Sequence, residues 1–117
     1  MGKSQRDKGC RGERLFRDIC REQGFAGAER MGQQMYQRGS EIADVVGLPG
    51  IHIECKFVEK LNVRKAMAQS TKDSEDEGLG NIPILAHKTS RKPFLITMQV
   101  ADWFRLYKGY LQSLAQI

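Results

Sequence analysis

The sequence predicts one α/β domain built on a mixed central β-sheet with helices on its faces. Three observations carry this. Apolar residues recur at helical spacing near the start, in the middle and at the end of the chain. Between the first and second of these segments, two short runs rich in Ile and Val flank Gly47-Leu48-Pro49-Gly50, a turn signal, and read as a β-hairpin. After the second come two continuous apolar runs of the kind that fill the interior of a sheet. The predicted order is helix, three strands, helix, two strands, helix.

Composition bounds the problem. A chain of 117 residues is one domain, 1–117, with enough length for a real core. Its net charge of +5 and isoelectric point near 9.3 point to a polyanionic partner. Cys10, Cys20 and Cys55 form no CxxC pair, and an odd number of thiols suits a reduced, intracellular, cytoplasmic setting. A zinc site from Cys10, Cys20, His52 and Cys55 lacks ligand spacing. No apolar run approaches the ~20 residues of a membrane span, so no membrane is expected.

Residues 1–8 are polar and read as a frayed, disordered start. The first helix is expected over 9–24, with Leu15, Phe16, Ile19 and Cys20 as its apolar stripe and Gly24 as its stop. Gly9 and Gly12 leave one side of it bare, so that a strand or a DNA backbone can come close. Residues 28–37 read as the first strand. In the hairpin that follows, symmetry about Pro49 sets Val45 opposite Ile53 and Asp44 opposite Glu54. Alternation then buries Ala43, Val45, Ile51, Ile53, Cys55 and Phe57 on one face and places Asp44, Glu54 and Lys56 on the other. Directly opposed residues have Cβ atoms roughly 4.5–5.5 Å apart. Two carboxylates at that separation repel unless a proton or cation lies between them, and a divalent metal is the natural candidate.

Asn62 is the expected N-cap of a helix over 63–77, with Ala66, Met67 and Ser70 facing the sheet. The run Asp73-Ser74-Glu75-Asp76-Glu77 departs from calcium-loop spacing and reads as a solvated acidic helix end. Residues 82–88 and 94–98 are expected as two interior strands joined by a basic turn. His87 reads as a satisfied polar group in preference to a phosphate contact. The closing helix, 99–113, carries Val100, Trp103, Phe104, Tyr107 and Leu111 on one stripe, which suits core or dimer packing better than base stacking.

Asp44, nine residues, then Glu54-Cys55-Lys56 resembles the PD-(D/E)XK nuclease superfamily, with Ala43 where the pattern usually has Pro. Gly9-Cys10-Arg11-Gly12-Glu13-Arg14-Leu15-Phe16 is similar to the first-helix motif of archaeal and phage Holliday-junction resolvases in that superfamily. The resemblance runs from Gly9 to about Tyr107 and implies a restriction-endonuclease-like core. It implies Mg²⁺, or Mn²⁺, held by Asp44, Glu54 and the backbone carbonyl of Cys55. Lys56 would orient the attacking water, and Glu13 would be a third acidic group serving a water or second metal. Ser40 and Gln69 match positions at which such resolvases carry a Ser near the metal and a Gln on the following helix. For Glu13 a surface ion pair, and for Ser40 a simple turn, remain the plain alternatives. Arg11, Arg38, Lys60, Arg64, Lys88, Arg91 and Lys92 are the candidate DNA contacts. The implied substrate is a four-way DNA junction, cut twice by a two-fold homodimer, and the resemblance points to a phage-encoded chain. Another endonuclease of the superfamily, or an inactive DNA-binding module of the same fold, are the competing readings.

Overall fold

The computed structural model describes residues 3–31 and 43–116. Helix α1 (Lys3–Glu22) is followed by strands β1 (Glu29–Arg30), β2 (Val45–Val46) and β3 (Ile51–Phe57), helix α2 (Val63–Glu77), strands β4 (Ile82–Lys88) and β5 (Leu95–Met98), and helix α3 (Val100–Ala115). The strands form one mixed sheet in the order β1-β2-β3-β4-β5. Only β3 and β4 run parallel, from Ile51 beside Ile82 to Phe57 beside Lys88, and α2 makes the crossover that parallel strands require. The fold is therefore the α/β arrangement with a mixed sheet that the sequence predicts.

Alternation along β3 and β4 sorts the core into two layers. Ile53 and Cys55 of β3 and Ile82, Ile84 and Ala86 of β4 pack with Val45 against Phe16 and Cys20 of α1. On the other face Leu85 meets Ala66 and Met67 of α2. Ser70, also on that side of α2, is small enough to sit fully buried and donates to the carbonyl of Ile84 at 3.1 Å. Asn62 caps α2 as expected, its side-chain oxygen accepting from the Lys65 amide, and Gly78 closes the helix in the left-handed conformation.

Several expectations need correction. The first helix starts at Lys3, ahead of the expected Gly9, so residues 3–8 are ordered and not frayed. Lys8 pairs with Glu59 at 2.7 Å and its ammonium lies 4.7 Å from the centre of the Phe57 ring, which ties this first part of the helix to the sheet. Leu15 and Ile19 are exposed, and the buried stripe is carried by Phe16 and Cys20. The first strand is described only at Glu29–Arg30, and the rest of the expected strand falls largely outside the described residues. β5 is an edge strand with Leu95 and Ile96 exposed, where an interior strand was expected. The acidic end of α2 is not wholly solvated, because Asp73 and Ser74 are buried.

Two glycines set close approaches. Gly47 has φ of +108°, and a Cβ there would come within 2.7 Å of the Ala28 Cα and the Gly27 carbonyl oxygen, so it lets the hairpin close on the segment entering β1. Gly12 is buried against β3, and a Cβ there would lie 2.7 Å from the Cβ of Phe57, an atom too near the backbone to swing aside. Gly12→Val is therefore expected to destabilise the fold by about 1–3 kcal/mol through overpacking. Gly9→Ala should stabilise by about 0.5–1 kcal/mol, since Gly9 is helical and nothing lies within 4 Å of its would-be Cβ. Urea midpoints of the two variants check the pair, and equal effects would refute the packing argument.

Candidate active site

The hairpin forms in the predicted register, with Val45 opposite Ile53, and this sets Asp44 beside Glu54. Asp44 is held on every side. Its amide donates to the Ile53 carbonyl at 2.9 Å, and its own carbonyl accepts from the Met31 amide at 3.0 Å. Its carboxyl oxygen Oδ2 accepts from the Cys55 amide at 2.9 Å. The side chain thus takes a strand amide of β3 just before β2 begins, which fixes its rotamer as well as its position.

Asp44 is buried, and its carboxyl and that of Glu54 share a hydrogen bond. Burial, then the charge of Asp44, pushes the Glu54 carboxyl up to about 9. Burial also raises Asp44, against the pull of the Cys55 amide and the charges of Lys56 and His52. The pair therefore keeps a proton between its oxygens at neutral pH. Lys56 follows on the same face of β3 and acts electrostatically on Asp44, Glu54 and Glu13. The Cys55 thiol, on the opposite face, is driven up by burial and by these carboxylates, so it stays a neutral thiol and offers no nucleophile.

Glu13 reaches this group from α1. Arg30 of β1 donates to it at 2.7 Å and also contacts the Cys10 sulfur at 2.8 Å. Burial and the charge of Asp44 raise Glu13, opposed by Arg30 and Lys56. The ion pair that is the plain alternative for Glu13 is therefore present, with Arg30 as its partner. Gln69 donates to Asp73 at 2.8 Å, and the charge of Asp73 is among the influences that raise Glu54, so α2 does present its Gln on the site's side of the sheet. Ser40 and Arg38 lie outside the described residues.

Four residues were missed by sequence reasoning. Arg30 anchors Glu13, and Asp73 adds a further carboxylate beside Glu54. His52 is fully buried, its Nδ1 donates to Glu77 at 3.1 Å, and its Nε2 has no hydrogen-bond partner. His52 is two residues before Glu54, so strand alternation alone puts it on the site's face. Gln69, Ser70, Asp73 and Glu77 follow helical spacing, which would have shown that one side of the acidic run faces inward.

The candidate DNA contacts divide. Arg11 and Lys88 come together with Lys8 over the ring of Phe57, at 5.2, 4.1 and 4.7 Å from its centre. This cluster sits at the carboxyl ends of the two parallel strands, on the face of the sheet opposite to Lys56. Lys88 and Lys92 also line a groove of about 410 Å³ floored by Val58, Leu61 and Leu95. Lys60, Arg64 and Arg91 are exposed but are not drawn into the Phe57 cluster. His87 bonds to the Thr97 hydroxyl at 2.8 Å, the satisfied polar role expected of it.

Among the described residues, no group of three or more His, Cys, Asp or Glu side chains is arranged to hold a metal ion. A Mg²⁺ site does not require one, because that ion retains several waters and is commonly bound by one or two carboxylates with substrate phosphates. The donor set fits such an ion. Asp44 and Glu54 offer hard oxygens, and a cation would neutralise the pair as the shared proton does. Among the described residues no helix is long and apolar enough to cross a membrane. No protein-family model matches the chain, and no curated protein matches it in sequence.

Proposed function

We propose that the chain is a metal-dependent DNA endonuclease of the PD-(D/E)XK kind, with four-way junctions as its preferred substrate. The observation that carries this reading is the hydrogen-bonded pair of buried Asp44, just before β2, and Glu54 of β3, with Lys56 beside it. Asp44, Glu54 and the Cys55 carbonyl would hold Mg²⁺ or Mn²⁺. When bound, the ion lowers the pKa of a coordinated water and offsets charge on the phosphorane.

The chain's own residues supply the rest. Lys56 places a positive charge where negative charge builds on the phosphoryl oxygens, and its amine orients the attacking water. The Asp44 side chain is fixed by the Cys55 amide, so its oxygens need no reorganisation when substrate arrives. Arg30 holds Glu13 near the pair, ready to accept a hydrogen bond from that water. Arg11 and Lys88, steadied on the Phe57 ring, would take the flanking phosphates. The preference for junctions rests on the resemblance of the first helix.

The test is cleavage of an end-labelled four-way junction beside a linear duplex of equal length, in Mg²⁺, Mn²⁺ and EDTA. Paired symmetric nicks on the junction, lost in EDTA, are the expected result. Equal cutting of both substrates would keep the metal site and remove the junction preference. Binding with no cutting in either metal would overturn the catalytic reading.

A further inference from the structure

We infer that α3 is a self-association surface, on which a second copy of this chain packs helix against helix about a two-fold axis near Tyr107. This stands on the helix itself and not on the nuclease reading, since an inactive chain would dimerise equally well.

α3 is a 16-residue helix with none of its residues buried. A helix of that length is marginal in water without tertiary packing. Among the described residues its own chain provides little: the Gln99 side chain donates to Thr71 at 3.1 Å, and Asp102 lines a groove with the end of α2. Val100, Trp103, Phe104, Leu106, Tyr107, Tyr110, Leu111 and Leu114 are all more than 40 % exposed. At the ~150–250 Å² that a whole aromatic side chain can bury, this amounts to roughly 600–700 Å² of apolar surface on one element. Monomers seldom leave more than ~300–600 Å² in one patch, and each partner in a standard interface contributes ~800 Å².

The spacing identifies the occupant. Phe104 and Tyr110 lie three residues either side of Tyr107, Trp103 and Leu111 four, and Val100 and Leu114 seven. An antiparallel copy centred at Tyr107 sets Trp103 against Leu111, Phe104 against Tyr110 and Val100 against Leu114. Along this stripe each apolar position then meets an apolar position, as an isologous two-fold interface demands, while Leu106 lies off the stripe. Trp103 and Tyr107 are already stacked, with centres 5.3 Å apart, so the middle of the stripe is pre-formed. The polar side of α3 carries Asp102, Arg105 and Lys108, a near-balanced set and not the basic face of a helix that lies on a membrane.

The experiment is sedimentation velocity of the full chain from about 1 to 100 µM, with hydrogen exchange read on β3 and β4. Wild type is expected at twice the chain mass of 13.3 kDa. Tyr107→Lys sets like charges face to face on the axis and should weaken the dimer by ~100-fold or more, with β3 and β4 still protected. A monomeric wild type across the range, a larger open assembly, or a variant still dimeric would each overturn the proposal. Should Tyr107→Lys lose its core protection, Tyr107→Cys decides. Only a residue on the axis meets its own copy, so oxidation should link Tyr107→Cys chains and leave wild type and Gln112→Cys unlinked. Failure of that link also overturns it.

Discussion

Glu54→Gln is expected to reduce Mg²⁺-dependent cleavage at least ~10²–10³-fold, the loss that follows removal of one positioned polar group from a reaction centre. The substitution keeps shape and one hydrogen bond to Asp44 but removes the carboxylate that would become the second negative donor once a metal displaces the shared proton. DNA affinity should hold, because Arg11 and Lys88, the proposed phosphate contacts, are untouched. Lys56→Ala should lose activity to a similar degree with weaker binding, since it takes a cation from the face that carries Glu54. Single-turnover cleavage and filter binding, run on the same preparations, separate the two effects. Full activity in the double variant would end the catalytic reading whatever the binding shows.

Much of the site was legible because it lies on elements governed by local rules. The Gly47–Gly50 turn and the period of two fixed the register that brings Asp44 to Glu54, and the structure keeps Val45 on Ile53. Asn62 announced α2 because Asn is a strong cap and an apolar stripe follows it. What was not legible depends on neighbours distant in sequence. Leu95, Ile96 and the α3 stripe are as apolar as a core, yet nothing in a run of apolar residues says what will cover it. Arg30 could not be assigned to Glu13 from sequence, since the pair joins a helix to a strand through tertiary structure. Asp73 and Glu77 were hidden by composition: among five consecutive polar residues, acidity obscured the helical period that turns two of them inward.

The same carboxylates that would bind metal make the fold sensitive to alkali. Glu54 is raised from an ordinary 4.5 to about 9 in the folded chain, chiefly by burial and next by Asp44. Between those values the native state holds a proton that the unfolded chain has released, so stability falls as pH rises through that window. Glu13 and Asp44, both raised, act in the same direction. Glu59 behaves oppositely: Lys8 and Ser90 lower it to about 2, so its contribution is lost only as the solution becomes strongly acid. Metal-free protein is therefore expected to show a melting temperature that declines from pH 5 to pH 9. Glu54→Gln should flatten that decline and, at pH 8, melt higher than wild type, the usual exchange of activity for stability at a charged site. Adding Mg²⁺ at pH 8 should restore wild type by mass action, about 2.7 kcal/mol when the ion is at a hundred times its Kd, and leave the variant nearly unmoved. Calorimetry of both proteins across this range, with and without the ion, makes the comparison. An upward slope in wild type would refute the shared-proton account of Asp44 and Glu54, while equal Mg²⁺ shifts in both proteins would place the ion elsewhere.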